Sequence, residues 1–198
     1  GLVAGEQRLS PTSVQEMKRA VIGVEPLGIG YGLGLLIGER DGETTIGHNG
    51  TINGYAATME LMPSQELAVI VLSNRNNYDP AAITQAAFDL FVERVETPPA
   101  SEIALDGAAL AEYAGRYAMS SALPGEEAEV VTVAIQGDRL TASLPGVTFE
   151  LRAVGSDLFD VYAPEEPEPI TQIAFLRDDI GAIHYMSFTM HALTRMQE

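Results

Sequence analysis

Short apolar runs separated by tight turn sequences recur along most of the 198-residue chain. In the first half, turn residues stand at Asp41-Gly42, at Asn53-Gly54 and at residues 63–66. Connections this short join neighbouring antiparallel strands, because a parallel crossover needs a dozen or more residues. We therefore predict an antiparallel sheet with strands at 28–38, 44–48, 55–62 and 67–73.

Two helices are predicted on either side of this sheet in the sequence. Each begins with a capping side chain followed by proline, at Ser10-Pro11 and at Asp79-Pro80. The second helix carries residues at helical spacing that would pack one face against the sheet. The positions that follow this spacing are Ile83, Ala86, Ala87, Leu90, Phe91 and Arg94.

The second half contains a short amphipathic turn at 105–113 and then strand-like runs at regular spacing. Many short strands with turns between them are typical of a small antiparallel barrel or sandwich. The predicted strands are 115–118, 129–136, 139–144, 148–153, 158–162, 171–177 and 182–190. The fold class is thus α+β, an antiparallel sheet with flanking helices over 1–96 and an all-β barrel over 105–198, joined by a Pro-containing linker at 97–104.

Composition excludes several classes of function. The formal net charge of -17 argues against nucleic acid as a partner, because phosphate binding needs a basic surface. The absence of cysteine excludes disulfides, thiol nucleophiles and cysteine-ligated metals. The longest apolar run, residues 67–72, is too short to span a membrane. His184 and His191 are predicted on opposite sides of one strand, so we expect no metal site and no cofactor.

Two motifs allow a structural and a functional interpretation. The glycine-rich run at 28–34 does not fit the G-x-G-x-x-G dinucleotide fingerprint, and alternate glycines on a strand indicate instead that another backbone approaches closely. The segment GHNGTINGY at 47–55 contains Asn-Gly twice, which favours a simple hairpin when the segment is taken alone.

The order of elements up to residue 94 resembles the C-terminal part of the serine beta-lactamase-like family. This family comprises class C beta-lactamases, D-alanyl-D-alanine carboxypeptidases, D-aminopeptidases and related esterases. The residues that carry the resemblance are 8–20, 31–35, the HNG triplet at 48–50, Gly54-Tyr55, Pro63 and 67–74. The segment LAEYAGRY at 110–117 is similar to the opening of the lipocalin-like barrel that often follows such hydrolases.

The resemblance implies acyl transfer on a small peptide, amide or ester. By position, His48 matches the first residue of the family's third catalytic motif and Gly50 its third residue. A donor or cation at His48 would hold a substrate carboxylate or polarise the catalytic hydroxyl network. Glycine at 50 would let substrate lie against the strand, and the amide of Thr51 would be an oxyanion donor. Asn49 and Ile52 would line the cleft.

The other two motifs of the family are absent from the sequence. The only lysine is Lys18, and the residue three places before it is Gln15, so there is no Ser-x-x-Lys. None of the seven tyrosines is followed two places later by asparagine. We therefore expect the chain to be a C-terminal portion, inactive alone, whose partner is an N-terminal catalytic portion in cis or in a second chain. The family implies a periplasmic or secreted location, while the residues leave a cytoplasmic one open.

Two other functions are consistent with the same residues. A small barrel can hold a small apolar ligand, which would make the chain a lipocalin-like binding module without catalysis. An incomplete sheet also exposes strand edges that pair between chains, which would make it an assembly module or a homo-oligomer.

Overall fold

The computed structural model describes residues 9–75, 80–93, 100–119, 128–188 and 191–197. The chain divides into two compact units, the first comprising residues 1–23 and 28–98 and the second 24–27 and 99–198. An antiparallel sheet with helices in the first unit and a closed barrel in the second confirm the predicted α+β class. The predicted cap Asp79, Arg94 and the first three residues of the predicted linker, 97–99, lie outside the described residues. In the described ranges, no helix has the length and apolar content that crossing a bilayer requires.

A six-stranded sheet whose strands follow one another in chain order forms the first unit. Its helix α1 (Pro11–Lys18) begins as predicted, because the Ser10 side chain accepts a hydrogen bond from the Ser13 amide and proline occupies the first turn. The strands are β1 (Ile22–Val24), β2 (Ile29–Tyr31), β3 (Leu36–Arg40), β4 (Glu43–Ile52), β5 (Tyr55–Met62) and β6 (Leu67–Ser73). The four strand pairs from β2 to β6 are all antiparallel.

The glycine-rich run forms two strands, which corrects the prediction of a single strand over 28–38. The chain reverses between Tyr31 and Leu36, where the Gly32 amide donates to the Leu35 carbonyl over 2.8 Å. Gly34 has a φ of 76°, a conformation that glycine adopts without strain. A side chain at Gly32 would overlap the carbonyl oxygens of Met17 and Arg19. The predicted close approach of another backbone is therefore confirmed, and it comes from the end of α1.

Helix α2 (Pro80–Phe88) covers one face of β5 and β6. Its fully buried side chains are Thr84 and Phe88, whereas Leu90 and Phe91 follow the helix and are exposed. The apolar stripe predicted through Ile83, Leu90 and Phe91 was therefore wrong. The helix ends at Phe88 and continues only as hydrogen-bonded turns to Val92. The residues that face the sheet are Thr84 and Phe88, each one position after a residue of the predicted stripe.

Arg40 at the end of β3 connects the sheet to α2. Its Nε lies 4.0 Å from Glu60 Oε1 on β5, and Nη1 lies 3.7 Å from Asp89 Oδ1 just after the helix. The guanidinium also donates to Gln85 Oε1 and lies 5.1 Å from the centre of the Phe88 ring. Burial raises the pKa of Glu60, and the charge of Arg40 opposes that rise. Arg40 therefore reduces the cost of ionising the half-buried Glu60 carboxylate between sheet and helix.

A closed eight-stranded antiparallel barrel forms the second unit, preceded by helix α3 (Gly107–Tyr113). The sequence predicts one strand over 182–190, but the structure has two, whose register pairs Phe188 with His191. His184 and His191 therefore lie on neighbouring strands and not on opposite sides of one strand. The strands are β7 (Gly115–Met119), β8 (Val130–Gln136), β9 (Arg139–Leu144), β10 (Val147–Gly155), β11 (Leu158–Tyr162), β12 (Thr171–Arg177), β13 (Ile183–Phe188) and β14 (His191–Arg195).

Aromatic side chains fill the interior of this barrel. Tyr117, Phe159 and Phe175 are fully buried, and Tyr113 at the end of α3 packs on both phenylalanine rings with centroid distances of 4.9 and 5.0 Å. The Tyr117 hydroxyl donates to the Tyr113 carbonyl over 2.7 Å, so its one polar atom is satisfied within the core. Eight strands leave just enough room for side chains to fill a barrel, and these rings do so.

Two arginines hold α3 against the barrel. Arg177 on β12 makes a two-point contact with Asp157, at 2.8 and 2.9 Å, and donates to Glu112 of the helix at 2.8 Å. Arg195 on β14 donates to the carbonyls of Glu112 and Ala114 at 3.0 and 2.6 Å. The last carbonyls of α3, which have no partner within the helix, are thus satisfied by a cation.

Replacing Arg40 by methionine tests its role between sheet and helix. We expect Arg40→Met to lower the free energy of unfolding at neutral pH by about 2 kcal/mol, because Glu60 loses its cation in a partly buried site. Without Arg40 the pKa of Glu60 rises further in the folded state. Ionising Glu60 therefore destabilises the fold increasingly as the pH rises above the ordinary pKa of a carboxyl group. Urea unfolding should therefore show a larger loss at about pH 7 than at about pH 5. A loss of equal size at both pH values would contradict this assignment, and Arg40→Met with Glu60→Gln is the control that should remove the pH dependence.

Tyr117→Phe tests the polar contact inside the barrel. The variant should lose about 1 kcal/mol of stability, the typical net value of one hydrogen bond. Burial raises the pKa of Tyr117 to about 12. Since unfolded tyrosine ionises near pH 10, wild-type stability should fall between about pH 10 and 12, and the variant should lack this component. Denaturant titrations across this range measure it, with Tyr185→Phe on the exposed surface as a control that should change little.

Candidate functional site

The β4–β5 hairpin carries all five residues that the sequence singles out. Its turn is the predicted Asn53-Gly54, with a φ of 84° at Gly54. Ile52 pairs with Tyr55 across this two-residue connection, and the register continues without a shift back to Ile46 and Leu61. The segment that was predicted to follow a strand ending at His48 is in fact strand, because β4 runs through to Ile52.

One edge of this segment is left uncovered by the neighbouring strand. The pairing of β3 with β4 ends at Gly47. We call the remaining residues of β4, 48–52, its outer half, and all of them pair with β5. A two-residue connection makes Ile52 and Tyr55 a hydrogen-bonded pair, and such pairs alternate along an antiparallel ladder. The N–H and C=O groups of Asn49 and Thr51 therefore point away from β5, towards the edge that β3 does not cover.

The side chains of the same segment divide between the two faces of the sheet. Strand alternation places His48, Gly50 and Ile52 on one face and Asn49 and Thr51 on the other. The structure therefore brings His48, Gly50 and Ile52 together, and it separates the side chain of Asn49 from that of Ile52. Asn49 contributes to the edge through its backbone.

The face that carries His48 is exposed and apolar towards the hairpin end. Register places four large apolar side chains on this face, and we call them the apolar patch. They are Ile52, Tyr55, Ile70 and Leu72, exposed by 70, 59, 61 and 79%. The opposite face is different, because Ala56 and Thr58 are buried there and α2 packs on β5 and β6. Helix α2 thus covers one face, while His48 lies on the face with the apolar patch.

The two glycines of β4 have different surroundings. A side chain at Gly47 would overlap the carbonyl oxygen of Met59 on β5. Around Gly50, by contrast, there is open space on the exposed face, and its φ lies outside the left-handed region. Gly47 is therefore required by the fold, whereas nothing in the described part of the chain requires glycine at 50.

His48 has one polar side-chain partner that the sequence did not suggest. The Tyr31 hydroxyl oxygen lies 2.9 Å from His48 Nε2, and the rings meet edge to face with centroids 6.0 Å apart. Tyr31 belongs to β2, and β3 lies between β2 and β4 in the sheet. Seventeen residues separate the two in sequence, so no local spacing signals their contact. Only the sheet order brings them together.

The described residues contain no cluster suited to a metal ion, and side chains pack the interior of the barrel. Within them, no group of three or more histidine, aspartate or glutamate side chains is arranged to hold a metal ion. Buried aromatic and aliphatic side chains pack the barrel interior. In the described ranges, the outer half of β4 is therefore our candidate functional site.

Comparison with known proteins agrees with the resemblance seen in the sequence. Residues 2–93, slightly under half of the chain, match the model of the Beta-lactamase family. The predicted resemblance of the first half to this family is thus confirmed, and the barrel predicted to follow it is present. No curated protein shows a significant match to the chain.

Several solved structures share the fold. Two structures of SurE, one solved with D-Leu, superpose with TM-scores of 0.65 and 0.64 at 21 and 20% identity. Each match covers 95% of this chain but only 43 and 44% of SurE. An octameric penicillin-binding protein homologue from Pyrococcus abyssi is less similar, with a TM-score of 0.44 at 22% identity over 94% of this chain and 42% of its own. The chain thus spans less than half the length of the proteins it matches.

Alanine substitutions at Gly47 and Gly50 should distinguish a glycine that packing requires from one that packing does not require. We expect Gly47→Ala to lower the free energy of unfolding by about 2 kcal/mol, because the Met59 backbone has to move. Gly50→Ala should leave stability within about 0.5 kcal/mol of wild type, because the added methyl group meets open space. Urea unfolding followed by circular dichroism measures both. Equal destabilisation by the two variants would show that Gly50 is also a packing glycine.

Proposed function

We propose that this chain is the C-terminal portion of a beta-lactamase-related serine hydrolase that transfers or hydrolyses an amide, peptide or ester. In this proposal residues 1–96 complete the hydrolase domain, 97–104 form a linker and 105–198 form an accessory barrel. The observation that carries the proposal is the outer half of β4, which has His48 and Gly50 on an exposed face and an edge that β3 does not cover.

The edge of β4 suits an acyl group whose carbonyl oxygen becomes negative during reaction. The Thr51 amide points to that edge, so it can donate to an oxyanion held there. Removing one such donor typically costs about 3 kcal/mol in the transition state. The Asn49 backbone points the same way, so a substrate with a peptide-like backbone can pair with β4 as an added strand. Since Gly50 carries no side chain, substrate can lie flat against the strand.

His48 would act on the polar end of the substrate or on the nucleophile. In its neutral form the imidazole is a hydrogen-bond donor at one nitrogen, and in its protonated form at both. Either form can hold a substrate carboxylate or polarise a serine hydroxyl network. A serine nucleophile and its lysine base would come from an N-terminal portion, because this sequence contains no Ser-x-x-Lys.

The apolar patch supports a partner on the face that carries His48. Four exposed large side chains in one patch beside a polar strand edge are typical of a surface that another protein segment covers. We assign this surface to the N-terminal catalytic portion, in cis or as a second chain. Self-association through the same patch is the alternative, and sedimentation at several concentrations distinguishes it.

The same site supports a proposal for the substrate class. A carboxylate held at His48 would lie at the end of a short peptide whose backbone pairs with β4. We propose further that this peptide ends in a D-configured residue. The family that the chain resembles includes D-peptidases, and SurE, which shares the fold, was solved with D-Leu. A periplasmic or secreted location would suit such a substrate.

Covalent labelling with a serine-directed activity probe tests the proposal. The isolated 198 residues should not be labelled, whereas the product of a longer reading frame with Ser-x-x-Lys upstream should form an acyl-enzyme detectable by intact mass. In that longer protein Gly50→Ala should slow acylation by about tenfold or more while leaving the unfolding free energy unchanged. Gly47→Ala is the matched control that should act through stability. Labelling of the 198 residues alone, or an upstream sequence without Ser-x-x-Lys, would overturn the assignment.

A further inference from the structure

Tyr31 and His48 make a side-chain contact that the proposed acyl-transfer chemistry does not itself require. The two side chains come from β2 and β4, and they meet through one hydrogen bond of 2.9 Å at Nε2 and one edge-to-face ring contact. His48 is exposed, so burial does not fix its ring. These two contacts therefore set its orientation at the site.

The hydrogen bond also constrains where the imidazole proton lies. A neutral imidazole has one nitrogen that donates and one that accepts. A phenol is a better hydrogen-bond donor than a neutral imidazole N–H, and a bare imidazole nitrogen is a better acceptor than a phenol oxygen. The favoured arrangement therefore has the Tyr31 hydroxyl donating to Nε2, which leaves the proton on Nδ1.

We propose that Tyr31 is a positioning residue that holds neutral His48 in its Nδ1–H tautomer. This inference rests on the proposed function only for its consequence at the site. His48 would then act as an uncharged donor through Nδ1, and the group it recognises would be a hydrogen-bond acceptor such as a carbonyl or carboxylate oxygen. Tyr31 acts through His48 and need not touch substrate.

Nitrogen NMR of the ¹⁵N-labelled 198-residue chain tests the tautomer without any enzymatic assay. Long-range ¹H–¹⁵N correlation spectra, recorded at alkaline pH where imidazole rings are neutral, distinguish a protonated ring nitrogen from a bare one. We expect wild-type His48 to show a protonated Nδ1 and a bare Nε2, and Tyr31→Phe to shift the population towards Nε2–H. His48→Gln identifies the signal.

Two controls make the result specific. Tyr55→Phe removes a phenol from the same hairpin and should leave the His48 signals unchanged. His184 and His191 lie in the other unit and should be unchanged in Tyr31→Phe. A wild-type His48 with its proton mainly on Nε2, or a tautomer ratio that Tyr31→Phe leaves unaltered, would overturn the inference.

The outcome is separable from that of the labelling experiment. A fixed Nδ1–H tautomer in a protein that never forms an acyl-enzyme would overturn the proposed function and leave the positioning role of Tyr31 standing. Acylation by the longer protein together with an unaltered tautomer in Tyr31→Phe would do the reverse. Since the wild-type spectrum alone reports the tautomer, the test does not depend on the variant folding.

Discussion

The register of the β4–β5 hairpin is the constraint on which the candidate site depends. Because side chains alternate along a strand, a slip by one residue would move His48 and Gly50 to the face that α2 covers and would turn the Thr51 amide towards β5. Three features oppose such a slip: the two-residue turn at Asn53-Gly54, the buried cross-strand pair of Ile46 and Leu61, and the tight fit of Gly47 against Met59.

The two faces of the sheet are stabilised by different physical means. On one face Arg40 joins the sheet to α2 through charge, a hydrogen bond and a ring contact, and Ala56 and Thr58 are buried there. On the other face the hairpin end exposes apolar side chains next to the polar edge of β4. A substrate can reach a site only where the surface is exposed, and the residues of a site are held in place by packed elements. The two faces of this sheet provide both conditions.

Sequence reasoning predicted the elements best where local chemistry specifies the conformation. The turns at Asp41-Gly42 and Asn53-Gly54, the cap at Ser10 and most of the barrel strands are set by residues within a few positions. Prediction from sequence failed where contacts between distant residues determine the conformation. The chain reversal after Tyr31 places Gly32 against the backbone of Met17 and Arg19, and α2 buries Thr84 and Phe88, the latter beside Arg40. His48 and Gly50 were proposed from motif order, but Tyr31 was not, because only the order of strands in the sheet brings it to His48.

The apolar patch also has a colloidal consequence when the chain is alone in solution. A net charge of -17 at neutral pH makes copies of the chain repel one another over roughly 10 Å at 0.1 M salt. Added salt screens that repulsion, and it leaves the attraction between apolar surfaces in place. The solubility of the isolated chain should therefore fall as the ionic strength rises.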